Sequence, residues 1–251
     1  MKAKIATSQA LMHVFFFFVA CACLLPFVLL VSASLTDENE IIREGYRFVP
    51  DAFTLKSYAY LFKDAAAIFR AYGISIVATV AGTMLSLALI SLLSYPLSRK
   101  DYPLRTLSSF FVFFTMLFNG GLVPTYLVYT QVFDVKNTIL ALIIPNLLLN
   151  GFYVLLARTF FASSIPVPVI ESAYMDGAGE FKIFYRIVLP LSLPVMATLG
   201  LFQTINYWND WFNSLIFITN TKLFSLQYLL NKILLDIQFL NTANLGGNQG
   251  Q

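Results

Sequence analysis

The chain has 251 residues, of which 58% are hydrophobic and only 12% charged, with a net charge of +3. An average soluble domain is about half apolar and roughly one-quarter charged, so a soluble globular fold and a disordered chain are both excluded. The small positive balance gives no reason to expect nucleic acid as a partner, while 25 Phe and 13 Tyr suit a chain that faces lipid and its interfaces.

A spanning helix needs about 20 apolar residues. Stretches free of Asp, Glu, Lys and Arg run over 5–36, 71–98, 106–133, 137–157 and 187–209. They predict an all-α polytopic membrane protein with five transmembrane helices, near 12–34, 72–97, 107–130, 138–158 and 187–208. The runs are continuous and do not alternate at period two, which favours helices over barrel strands.

The first run follows Lys2 and Lys4, and Ser32-Ala33-Ser34 resembles a cleavage site. It is longer than a signal core and four more spans follow, so it reads as an uncleaved signal-anchor. Cys21 and Cys23 point to different sides of that helix and read as lipid-facing hydrophobes. His13, at its start, reads as an interfacial side chain. The loop 35–71 carries charges of both signs, Lys63 among them. Arg99, Lys100 and Arg105 crowd the next loop, and Arg158, Lys182 and Arg186 the loop after the fourth span, whereas Lys136 stands alone between the third and fourth. The positive-inside rule then puts the amino terminus, residues 1–11, in the cytoplasm of a multi-pass protein. Residues 12–208 form the transmembrane domain. Inside the third run, Gly120-Gly121 ahead of Pro124 permits a helix break or tight packing.

The loop 159–186 is the informative one. Pro168 suits a first helical turn, Glu171 lies near that turn's positive end, and Gly177 and Gly179 can stop the helix in a left-handed conformation. A second helix starts near Glu180 and enters the membrane around Pro190. These residues describe a short helix across the cytoplasmic face, held between two spans.

The segment carries Glu171, Ser172, Ala173, Gly177, Ile187, Leu189 and Pro190. Their spacing resembles the cytoplasmic motif of binding-protein-dependent ABC importer permeases: Glu-Ala-Ala, three residues, Gly, nine residues, Ile, one residue, Leu-Pro. Only Ser172 departs, and it stays small. Tyr95-Pro-Leu-Ser-Arg99, Phe118-Asn-Gly-Gly-Leu-Val-Pro124 and Tyr207-Trp208-Asn209-Asp210-Trp211 look like the carbohydrate branch, including the second permease subunit of the maltose importer and oligosaccharide permeases. The resemblance implies a permease of the bacterial cell membrane with no chemistry and no cofactor of its own. ATP and Mg would be bound by a partner ATPase dimer docking on the 168–177 helix through Glu171, Ser172, Ala173, Asp176 and Gly177. It also implies a second permease subunit and an extracellular or periplasmic solute-binding protein as partners, in contact with membrane lipid.

For a sugar path, aromatic faces suit sugar rings and amide side chains suit hydroxyls. Tyr207, Trp208, Asn209 and Trp211 offer both at the outer end of the fifth span, with an interfacial aromatic belt as the alternative reading. Asn119 and Asn146 are polar positions within spans, suited to substrate contact or to helix–helix bonding. No cluster of His, Cys, Asp and Glu has metal spacing. The rival readings are an ion-coupled secondary carrier and an integral membrane enzyme. Apart from His13 at an edge, the spans hold none of the ionisable groups such a carrier uses.

Residues 209–251 read as an outer interfacial segment and a flexible tail. Residues 223–240, with Lys232 and Asp236, have an amphipathic interfacial pattern, and coil is expected from Asn244. A sixth helix usual in the family is then missing, which suggests a truncated chain. On that expectation Gln203 and Asn206, three apart on the fifth span, share a face left without partners.

Overall fold

The computed structural model describes residues 2–50, 52–62 and 65–247. Lys63 and the last four residues of the expected tail lie outside them. The described residues are helical, with no strand beyond one isolated bridge between Thr36 and Phe53.

The chain divides into two compact units, 1–65 and 66–251. In the first, α1 (Lys2–Ser34) contains an exposed apolar stretch, Leu11–Ser34, long enough to cross a membrane. Its carboxyl end is tied to the segment that follows. Ser32 Oγ donates to the Arg47 carbonyl at 2.7 Å, and the Thr54 N–H donates to the Leu35 carbonyl at 2.8 Å. Two short helices, α2 (Glu38–Glu44) and α3 (Lys56–Leu61), complete the unit. Lys56 reaches Asp37 at 2.7 Å, and this hydrogen bond raises its pKa.

The second unit begins with α4 (Ala65–Ser98), the other unbroken apolar helix. Its buried face reads Ala71, Ser75, Ala78, Thr79, Gly82, Thr83 and Ser86, small residues at helical spacing. Small side chains let neighbouring backbones come close, which substitutes for the hydrophobic drive that lipid cannot supply.

The third predicted span is bent by 114°: α5 (Arg105–Leu117) and α6 (Leu122–Leu127), which continues in a wider π turn to Val132. The break falls at Gly120-Gly121, where Gly121 has φ +85°.

The fourth predicted span, 138–158, is corrected. Helix α7 (Leu140–Ile143) is a single turn, irregular chain follows, and α8 runs Gly151–Ser164. Pro145 has no N–H, Asn146 sits at φ +62°, and Asn150 caps α8 by accepting from the Phe152 N–H at 2.9 Å. An uninterrupted helix cannot pass through those three residues.

After α9 (Val167–Met175), the fifth predicted span is also bent. It consists of α10 (Glu180–Ile183), a π turn Phe184–Val188, α11 (Leu189–Leu191) and α12 (Leu193–Trp208), with a 77° bend at Ser192. Pro190 and Pro194 each remove an N–H near this bend. Two unbroken apolar helices, and up to five spans if each bent pair counts as one, are long enough to cross a membrane.

Helices α13 (Phe212–Phe217) and α14 (Leu226–Gly247) close the described chain. The expected coil from Asn244 is corrected, since α14 continues to Gly247.

Two cores organise this unit. One joins Ile90, Leu97, Val154, Phe161, Ile183 and Leu199, and the other joins Ala78, Leu142, Ile143, Phe217 and Phe224.

Candidate functional site

Helix α9 and the turn after it stand on the first core. Ile170 and Ala173 are buried against it, three apart and so on one face. Pro166 and Pro168 start the helix where a missing N–H costs nothing. Its end is a Schellman turn. Gly177, at φ +76°, donates its N–H to the Tyr174 carbonyl, and Ala178 donates to the Ala173 carbonyl, each at 2.9 Å. Gly179 then caps α10, whose Ile183 and Phe184 return to the same core. The chain therefore reverses in a rigid corner between two anchored helices.

The opposite face is open. Glu171, Ser172 and Asp176 are exposed, Met175 is 88% exposed and Phe181 81%. Ser172 Oγ bonds back to the Pro168 and Val169 carbonyls at 2.9 and 3.1 Å, so a hydroxyl is accommodated at this position within the helix itself. Of the remaining motif positions, Ile187 and Leu189 are half-buried and packed against the core, and Pro190 is exposed beside the bend.

Contacts that sequence reasoning did not foresee hold this corner to α4. Tyr95 and Tyr174 each donate a hydroxyl to Glu180. Arg99 donates to the Tyr174 hydroxyl at 3.3 Å and lies over its ring at 5.6 Å. Burial raises the pKa of Tyr174, and its bond to Glu180 adds to that. Burial alone would lower Arg99, but Asp101 at 3.2 Å and the neighbouring tyrosines outweigh it and hold it above its usual value. Arg105 and Arg158 both donate to the Leu97 carbonyl at 3.1 Å, placing positive charge at the negative end of α4. Arg99, Arg105 and Arg158, three of the arginines that vote on orientation, thus meet at one end of that helix.

The candidate substrate residues are not brought together in this way. Asn119 accepts from the Gly121 N–H at 2.9 Å in its own turn, and Asn146 is an exposed residue of the irregular segment. Tyr207 is buried, and its hydroxyl donates to the Ile143 carbonyl at 2.9 Å. Its ring fills the place where a Cβ on Gly82 would stand, 2.5 Å away. Trp208 is half-buried with its ring 6.4 Å from that of Tyr72, Asn209 bonds back to the Ile205 carbonyl, and Trp211 is exposed.

The expectation that Gln203 and Asn206 lack partners is corrected. Gln203 is 1% exposed and donates to Ser86 Oγ and, at 2.9 Å, to the Leu147 carbonyl. Asn206 donates to the Tyr153 hydroxyl at 3.1 Å. Gln203, Tyr207 and Asn213, the last donating to the Pro145 carbonyl at 3.0 Å, satisfy carbonyls that the broken fourth span leaves open. Among the described residues no three His, Cys, Asp or Glu side chains form a group that would hold a metal.

Residues 8–241 match the family described as binding-protein-dependent transport system inner membrane component. The chain is 36% identical over 225 residues to the polygalacturonan/rhamnogalacturonan transport system permease protein YtcP of Bacillus subtilis, covering 90% of this chain and 77% of that protein. It is 26% identical over 227 residues to the arabinooligosaccharides transport system permease protein AraQ of Halalkalibacterium halodurans, covering 86% and 78%. Its fold is similar to that in a crystal structure of a bacterial ABC transporter involved in the import of the acidic polysaccharide alginate. That similarity has a TM-score of 0.81 at 26% identity and covers 93% of this chain and 84% of the other.

Proposed function

The chain belongs to the family of binding-protein-dependent transport system inner membrane components, the permease subunits of ATP-driven importers, and we propose that its cargo is an oligosaccharide. It is a membrane protein and not an enzyme, since the ATPase of such importers is a separate subunit. The names of YtcP and AraQ, and the cargo of the alginate importer, support a saccharide for this chain.

In the proposed cycle, an ATPase of the partner dimer binds ATP and Mg and docks on α9. A second permease subunit completes the pathway, and a solute-binding protein delivers the sugar from outside a bacterial cell. The observation that carries this reading is the corner at Gly177. It presents Glu171, Met175, Asp176 and Phe181 to a partner while its other face is locked in the core. A helix held that way moves as a rigid lever when the ATPase dimer closes. The spans it joins then tilt between two states, which is what coupling between separate sites requires.

The amino terminus is proposed to lie in the cytoplasm, supported by the arginines and lysines around 99–105 and 158–186. Cysteine placed at Ser57 should then react with an impermeant reagent from outside, and cysteine at Ser98 only after the membrane is opened. The opposite pattern overturns the orientation.

The function is tested by reconstituting the whole importer in vesicles and offering labelled neutral and uronate oligosaccharides. Uptake should require ATP on the cytoplasmic side and persist when ion gradients are collapsed. Uptake that follows a proton or sodium gradient without ATP contradicts the reading and restores the secondary carrier.

A further inference from the structure

Glu180 stands at none of the seven motif positions, yet it is where three elements meet. One carboxylate oxygen accepts from Tyr95, near the carboxyl end of α4, and the other from Tyr174, in the last turn of α9. Glu180 itself opens α10. Among the described residues no lysine or arginine forms an ion pair with it. Its two described side-chain partners are phenol hydroxyls, at an exposed position, and hydrogen bonds to an ionised acceptor are about twice as strong as neutral ones.

A second tie runs beside the first. Arg99, the residue directly after α4, donates to Tyr174 and covers its ring. Tyr95 packs its ring in the first core against Phe184, 5.2 Å away, while its hydroxyl reaches Glu180. A cavity of about 380 Å³ adjoins them, lined by residues that include Arg99, Asp101, Glu180 and Phe181. Replacing Tyr95 by Phe removes the hydroxyl and keeps the ring that packs in the core.

We propose that Glu180 is a positioning residue for energy coupling, pinning the last turn of α9 to the end of α4. A push on α9 is then delivered to the second span as well as to α10 and the bent fifth span. Without the pin, α9 is connected to α4 through the weaker Arg99–Tyr174 contact and shared packing in the first core. The proposal rests on the reading of α9 as the ATPase-docking helix.

The test uses the complete importer in vesicles and measures oligosaccharide taken up per ATP hydrolysed. Glu180→Ala, which loses both bonds, should lower that ratio about tenfold, and Tyr95→Phe, which loses one, about threefold; Tyr174→Phe, which loses its bond to Glu180 and the longer one from Arg99, should lower it at least threefold. Adding Tyr95→Phe to Glu180→Ala should lower it no further, because the two changes remove the same bond. A role in folding alone would reduce the amount of assembled complex and leave uptake per ATP unchanged. If Glu180→Ala fails to assemble, the two phenylalanine variants decide, since they keep the shape of the site. Unchanged coupling in both of them overturns the proposal. A wild-type complex that hydrolyses ATP without uptake sinks the docking reading and this inference together. Normal coupling in wild type and in both phenylalanine variants sinks only the role of Glu180.

Discussion

Helical hydrogen bonding stops after α9 and again between α7 and α8, and the two breaks are closed in different ways. At Gly177 the loose carbonyls of Ala173 and Tyr174 are taken by N–H groups three to five residues later. Between Ile143 and Asn150 the carbonyls of Ile143, Pro145 and Leu147 are taken by side chains of Tyr207, Asn213 and Gln203, far along the chain. Local closure leaves α9 free to project as a rigid corner. Distant closure makes the break part of the core, because in hydrocarbon an open carbonyl has no water to turn to.

The sharpest way to break this contrast is Gly82→Val. The new side chain would meet the Tyr207 ring, which its own hydroxyl holds on the Ile143 carbonyl. Overpacking of this kind should cost about 3 kcal/mol and lower the melting temperature of the chain in detergent by several degrees. Unchanged melting would show that Tyr207 does not secure the broken span.

Gln203→Leu should cost about 2 kcal/mol, because it strands the Leu147 carbonyl and the Ser86 hydroxyl. Melting in detergent measures it, and a loss too small to resolve would mean that the carbonyl finds another partner.

Gly177→Val tests the other break. A left-handed φ costs a β-branched residue about 1–2 kcal/mol locally, so melting should shift little while uptake per ATP falls sharply. Asn, which tolerates that conformation, should keep most of the coupling. A valine variant with normal uptake per ATP would detach the corner from the mechanism.

The smallest effect concerns Asp210, just beyond α12. Burial raises its pKa, against the pull of the Asn213 and Phe212 N–H groups. With the folded value raised, ionisation costs stability. The chain should be most stable where Asp210 is protonated, and should lose stability as pH rises from the ordinary carboxylate value of about 4 through the raised one. Asp210→Asn should remove that part of the pH dependence of melting, and an identical pH profile would contradict the burial of the charge.

The same contrast explains what could be read without coordinates. Pro168, Gly177 and Gly179 act on their immediate neighbours, so the short helix and its corner are visible in the residues themselves. The broken fourth span is not, because its partners lie 56 to 68 residues away and the run looks uniformly apolar. Pro145, Asn146 and Asn150 were the available signal: a residue without an N–H, one tolerant of positive φ, and a good helix cap. Glu180 was legible as an acid at a helix start, but nothing near it in the chain pointed to Tyr95. Tyr207 looked like a residue for lipid interface or sugar because its place over Gly82 depends on a helix 125 positions earlier.

A lever at α9 requires an ATPase subunit on the open face of that helix. Met175, 88% exposed at the end of that helix, is the position to probe. Met175→Cys carrying a photoreactive label, in the assembled importer, should form a covalent adduct with the ATPase subunit, and its yield should change when ATP is added. An importer that still transports, but whose Met175→Cys label never captures the ATPase, would contradict the docking of that subunit on α9.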